Sequence, residues 1–115
     1  MLWYQHTIVL KDCRASFNSA VKDFCYVLAG ILQLNPVMYA EHPWPNDDTR
    51  DFIPGTTGVL VIETSHIAVH TCEKLKSVMV EVVSCKPFSR EDMESVSATW
   101  FVGRVTDKHC WEYSV

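Results

Sequence analysis

The chain has 115 residues, 48% of them hydrophobic, which suffices for one sizeable core and hardly two, so a single domain over residues 1–115 is expected. Its formal net charge of −4, with no run of Lys or Arg, offers no attraction to a polyanion and argues against nucleic acid and acidic membrane surfaces as partners. The opening MLWYQHTIVLKD meets charge by Lys11 and lacks a long apolar region, so no signal peptide or membrane span is expected, and the odd, widely spaced cysteines (Cys13, Cys25, Cys72, Cys85, Cys110) suit reduced thiols in the cytoplasm.

His6 to Lys11 is a short β-branched run and reads as a first strand. From Ser16 to about Gln33, apolar residues fall at Phe17, Val21, Phe24, Cys25, Leu28, Ile31 and Leu32; this three-and-four spacing predicts a helix with one stripe against a sheet. Asn35-Pro36 stops it, because proline disfavours the α region in the residue before it and has no amide proton to give. Val37 to His42 reads as the second strand. Pro43 to Gly58, rich in Pro, Asp and Gly without a period, reads as a long surface loop.

Gly58 to Ile62 is apolar at nearly every position, as a central strand would be, and His66–Cys72 and Ser77–Cys85 follow as strands joined by a turn at Glu73–Lys76. Ser89 is a suitable cap for a second helix, with Glu91 and Asp92 in its first turn and Phe88 and Met93 at the staple positions. That helix is expected to end near Ala98 to Trp100, and Trp100 to Thr106 reads as a last strand interrupted by Gly103. The order β-α-β-β-β-β-α-β predicts an α+β two-layer sandwich: an antiparallel sheet with both helices on one face.

Between the third and fourth strands lies a polar break, VIETSHIAVHT, with Glu63, Thr64, Ser65 and His66 between two apolar runs. His66, His70, Cys72 and Cys85 are all metal-ligand types, but strand residues four apart are separated by roughly 13 Å, too far for His66 and His70 to share one tetrahedral ion, so no metal is expected. Taken alone, His70 reads as a core histidine with a satisfied hydrogen bond and Cys85 as a small buried hydrophobe.

Together, PGTTGVLVIETSHIAVHT and VMVEVVSC resemble the core of the prokaryotic S-adenosylmethionine decarboxylases, pyruvoyl enzymes of polyamine (spermidine) biosynthesis. Ser65 matches that family's self-cleaving serine. His70, five residues on, matches its processing histidine; Cys85, twenty on, matches its proton donor; and Thr57, eight before, takes the place of its processing serine. The resemblance implies self-cleavage between Thr64 and Ser65, a pyruvoyl group generated from Ser65 as the cofactor, no metal, and a homodimer with active sites between protomers. Glu63 and His66, beside the serine, and Phe52 in the long loop are the candidate substrate contacts. The expected chemistry is attack by the Ser65 hydroxyl on the Thr64 carbonyl, with Thr57 steadying the oxyanion and His70 moving protons, then decarboxylation in which Cys85 returns a proton.

Ser65 and His70 differ by an odd number of positions, so one regular strand would turn them to opposite faces; they meet only if the chain turns or bulges near Glu63 to His66. The chain also departs from the family's pattern. Thr64 stands where glutamate is usual, and Cys72, Glu73 and Lys74 stand where Trp-Pro-Glu is usual; Lys74 would oppose a sulfonium substrate. Phe52 or Trp44 in the long loop would then supply the missing aromatic surface. The alternatives are a decarboxylase of another amino acid, such as ornithine or arginine, and an unprocessed homologue that binds a ligand without catalysis.

Overall fold

Alternation along the strands builds one apolar sheet face, and the two helices cover it. The computed structural model describes residues 1–15, 20–44 and 54–115. Among these, the elements are β1 (Leu2–Lys11), α1 (Val21–Ile31), β2 (Pro36–Trp44), β3 (Gly55–Ile62), β4 (Ser65–Cys72), β5 (Ser77–Ser84), α2 (Arg90–Phe101) and β6 (Arg104–Ser114). The six strands form one antiparallel sheet in the order β2-β3-β4-β5-β1-β6. The expected α+β sandwich is thus the observed one.

Ile8 and Leu10, Leu60 and Ile62, Ile67 and Val69, and Val78, Val80 and Val82 point to the helices and pack with Val21, Phe24, Cys25 and Leu28 of α1 and Met93 and Phe101 of α2. Helix α1 lies over β3 and β4, and α2 over β1 and β6. His6 anchors α2 from beneath: it is buried, with Nε2 3.0 Å from Glu94 Oε2, and Lys108 Nζ donates to Glu94 Oε1 at 3.1 Å.

Several boundaries differ from expectation. Helix α1 ends at Ile31, itself exposed, because Gln33 adopts a positive φ of 58° and the amides of Gln33 and Leu34 close back on Gly30 and Ala29. The start expected at Ser16 lies outside the described residues. Trp44 belongs to β2 and Gly55 to β3, so ladder pairing claims both ends of the expected loop; residues 45–53, Phe52 among them, lie outside the described residues. Gly103 does not interrupt a strand. It follows Val102, which turns left-handed (φ 49°) at the end of α2, and β6 begins only after it.

The Ser89 cap is present, with its hydroxyl accepting from Asp92 N at 3.1 Å. On β3, Gly58 lies under Tyr39: a methyl there would run into the Tyr39 hydroxyl and come within 2.7 Å of Val21 Cγ1. Overpacking of this kind costs about 1–3 kcal/mol, so Gly58→Ala is expected to lower Tm by at least roughly 5 °C in a thermal melt.

The face away from the helices is uncovered. Register assigns Met38, Val61, Met79, Trp111 and Tyr113 to it, and these side chains are 38–58% exposed. The prediction that β3 is apolar on both sides holds in composition, but only its Leu60 and Ile62 side meets a packed layer within this chain.

Candidate functional site

Strands β3 and β4 are joined by a two-residue turn, Glu63-Thr64, with Ile62 paired to Ser65 across it. Tight hairpin loops of this length favour Asn-Gly or Gly-containing pairs, whose backbones accept positive φ without strain. Here neither turn residue is glycine, and the unusual torsion falls on Ser65, whose φ is 152°. A non-glycine residue held in such a region costs of order 1–3 kcal/mol and persists only where its surroundings impose it.

The surroundings are specific. Thr64 O accepts a hydrogen bond from the backbone N–H of Cys85 at 3.1 Å. Thr64 Oγ1 lies 2.8 Å from Ser84 Oγ, which in turn accepts from the Lys86 amide at 2.9 Å. On the other side of the turn, Glu63 N donates to Asn35 O at 2.9 Å, and Asn35 Nδ2 donates to Glu63 Oε2 at 3.0 Å. The expected self-cleaving serine, the carbonyl it would attack and Cys85 are therefore neighbours at one end of the sheet.

His70 and Thr57 form a second group. They are register partners on β4 and β3, with Thr57 Oγ1 3.2 Å from His70 Nδ1, and Trp44 Nε1 donates to Thr57 Oγ1 at 2.6 Å. An oxygen that already accepts from an indole N–H still has its own proton to give. His70 Nδ1 is the acceptor within reach when the ring carries its proton on Nε2. Trp44 is thus tied to the expected processing pair by a direct hydrogen bond.

The two groups do not meet within the chain. β4 pairs one-to-one with both neighbours from Ser65 to Cys72 without a register shift, so His70 lies five strand residues, about 16 Å, from Ser65. The turn expected near Glu63 to His66 is there, but it precedes Ser65 and cannot carry His70 toward it. By register Ser65 aligns with Ile62 and Ser84 in the helix-facing row, while His70 belongs to the alternate set on the open face; Cys85 follows the last paired residue of β5. Thr57 likewise sits far from the Thr64 carbonyl, whose polarising donor within the chain is the Cys85 amide.

The remaining expected residues divide between these groups. Glu63 is engaged by Asn35, as above. His66 Nε2 is 3.9 Å from Glu81 Oε1 on the open face, and that carboxylate also accepts from Gln5 Nε2 at 3.0 Å, with Tyr113 OH donating to Gln5 Oε1 at 3.0 Å. This aromatic and carboxylate row was not anticipated, because its members come from β1, β4, β5 and β6 and are joined only by pairing. Cys72 lies beyond His70 on β4, and Lys74 is exposed in the turn that follows.

All five cysteines are free thiols. Burial pushes the Cys25 thiol up to about 12, helped by the Glu41 charge, and burial with Asp12 nearby raises Cys13, so both serve as core residues. Among the described residues no group of three or more His, Cys, Asp or Glu side chains is gathered as a metal site requires.

Comparison with known proteins follows the same lines. A family model described as S-adenosylmethionine decarboxylase matches residues 15–106. The fold is similar to the crystal structure of the adenosylmethionine decarboxylase from Aquifex aeolicus, with a TM-score of 0.80 at 18% identity over 99% of this chain and 92% of that one. A search of curated protein sequences finds no significant match.

Proposed function

Because the chain belongs to the S-adenosylmethionine decarboxylase family, we propose that it is a self-processing, pyruvoyl-dependent decarboxylase of S-adenosylmethionine, a cytoplasmic homodimer serving polyamine synthesis. The observation that carries this reading is the Thr64–Ser65 peptide: its carbonyl oxygen accepts from Cys85 N–H, and its serine stands at a φ of 152°. These residues suit the formation of a pyruvoyl group, since a hydroxyl, a polarised carbonyl and a strained backbone are what that conversion requires.

Ser65 Oγ adds to the Thr64 carbonyl carbon, and the charge that collects on Thr64 O is met by the Cys85 amide already aimed at it. The C–N bond breaks, the Ser65 nitrogen takes up the hydroxyl proton, and an ester joins Thr64 to Ser65 Oγ. Loss of the Ser65 α-proton then expels the Thr64 carboxylate with the electrons of the Cβ–Oγ bond. Water displaces the nitrogen as ammonia and leaves a keto group at the start of residues 65–115. That carbonyl supplies an electron sink for loss of CO₂ from a bound amino acid. Cys85 holds a proton to return, and His70, steadied by Thr57 and Trp44, moves protons during processing.

The separation of Ser65 from His70 is resolved by a second copy. If two open faces pack together about a two-fold axis that runs across the strands near Ile67 and Ala68, the His70 end of one chain lies over the Ser65 end of the other. Facing sheets pack about 10 Å apart, so the partner's His70 meets this end from the open face; register puts Ser65 in the helix-facing row, and the turn has to rotate for its hydroxyl to meet that histidine. The apolar residues exposed on that face are the material for such an interface.

The decisive assay offers the processed protein S-adenosylmethionine, ornithine, arginine and lysine side by side and measures CO₂. Turnover is expected from S-adenosylmethionine alone. Turnover confined to a basic amino acid would assign the site to that substrate, a change for which Cys72 and Lys74 provide the motive. An uncut chain that releases no CO₂ would identify a ligand-binding homologue.

A further inference from the structure

We propose that Ser84 and Asn35 are positioning residues for chain cleavage, gripping the Glu63-Thr64 turn from its two sides so that Ser65 is held in its reactive backbone conformation. The inference rests on the self-processing reading above and names residues that reading leaves without a role.

Two features set this clamp apart from ordinary turn bonding. The first is where it acts. Cys85 N–H holds the Thr64 carbonyl oxygen and Ser84 Oγ holds the same residue's side chain, so two contacts from adjacent positions fix the orientation of the one carbonyl that must be attacked. Ser84 is fully buried and its oxygen is itself fixed by the Lys86 amide, so it is a rigid partner for Thr64.

The second feature is closure. The segment that carries Ser84 is tied back to the linker that carries Asn35, because Lys86 Nζ donates to Gln33 O at 2.6 Å. Asn35 in turn holds Glu63 through both its carbonyl and its side-chain amide. Gln33, Asn35, Glu63, Thr64, Ser84 and Lys86 thus form a ring of contacts around the turn. A two-residue turn without glycine relaxes toward ordinary torsions when one side of such a ring is released.

The test follows cleavage of freshly made full-length chain by denaturing mass measurement. Ser84→Ala and Asn35→Ala are each expected to slow the appearance of residues 65–115 at least tenfold, and Ser84→Thr, which keeps the hydroxyl, to cleave near the wild-type rate. Thr64→Val reads the same bond from a less buried side and keeps the test available if Ser84→Ala does not fold. Thr64→Val combined with Ser84→Ala is expected to be no slower than the worse single variant. A wild type that cleaves beside a Ser84→Ala or Thr64→Val variant cleaving at the same rate overturns this inference and leaves the processing reading intact. Ser84→Thr as slow as Ser84→Ala overturns it too, because packing and not the hydroxyl would then matter. A wild type that never cleaves overturns both.

Discussion

Purified wild-type chain, denatured and weighed, is expected to resolve into residues 1–64 and 65–115, while Ser65→Ala remains a single species of 115 residues. The effect is all-or-none, because only a hydroxyl on the residue that follows the Thr64 carbonyl can form this ester by acyl shift; Thr64 Oγ1, paired with Ser84 Oγ, follows the Glu63 carbonyl instead. Cleavage should leave a carbonyl on the larger-numbered fragment that hydrazine reagents detect and that is missing from Ser65→Ala. Thr57→Val and His70→Ala are expected to impair the cut. Cys85→Ala should still cut, since its backbone amide survives the substitution, but should release less CO₂. An intact wild type after long incubation near neutral pH, with no reactive carbonyl, would mean that the strained turn serves only as a fixture of a ligand-binding fold.

How far such behaviour is legible in the amino-acid sequence depends on the range of the interactions involved. The α2 start was legible because its signals are local: Ser89, Glu91, Asp92 and Met93 lie within one turn, and the cap bond forms inside that window. The central strands were legible because Gly58–Ile62 and Ser77–Cys85 are short apolar, β-branched runs bounded by turn residues; the period-two burial of Leu60, Ile62, Val78, Val80 and Val82 then shows which face the helices cover. The expected strand Trp100–Thr106 began too early, since Trp100 and Phe101 complete α2, and both it and His6–Lys11 stopped short of the outer parts of β6 and β1 for one shared reason. Leu2 to Gln5 and Trp111 to Ser114 pair with one another, and each segment alone is a mixed run in which no alternation stands out. Tertiary pairing makes them strands.

The same distinction divides the site. Ser65, His70, Thr57 and Cys85 were visible as intervals along one stretch of chain. The Cys85 amide on Thr64 O, the Ser84 contact and the Asn35 bracket were not, because a backbone donor leaves no mark in a sequence and Asn35 reads only as the residue that precedes a helix-stopping proline. Parity did foretell the chief difficulty. Ser65 and His70, five apart on an unbroken strand, stay apart, so a site that uses both has to draw them from two chains.

That requirement has a test with a large and specific effect. Ser65→Ala and His70→Ala chains, each expected to stay largely whole when made alone, are produced together so that mixed dimers form. In a mixed dimer the His70→Ala chain presents an intact Ser65 to the partner's His70, while the reciprocal site has lost both groups. Random pairing at equal amounts puts about half of the His70→Ala chains in mixed dimers, and about that fraction is expected to be cut, with no Ser65→Ala chain cut at all. Were the histidine to act within its own chain, mixing would rescue nothing. Adding Cys85→Ala to the His70→Ala chain sharpens the outcome: Cys85 belongs with Ser65 through its contact with Thr64, so the doubly substituted chain should still be cut by its partner yet release little CO₂. Placing Cys85→Ala on the Ser65→Ala chain instead should leave both cleavage and turnover of the rescued site unchanged, because that cysteine lies beside a serine that is no longer there.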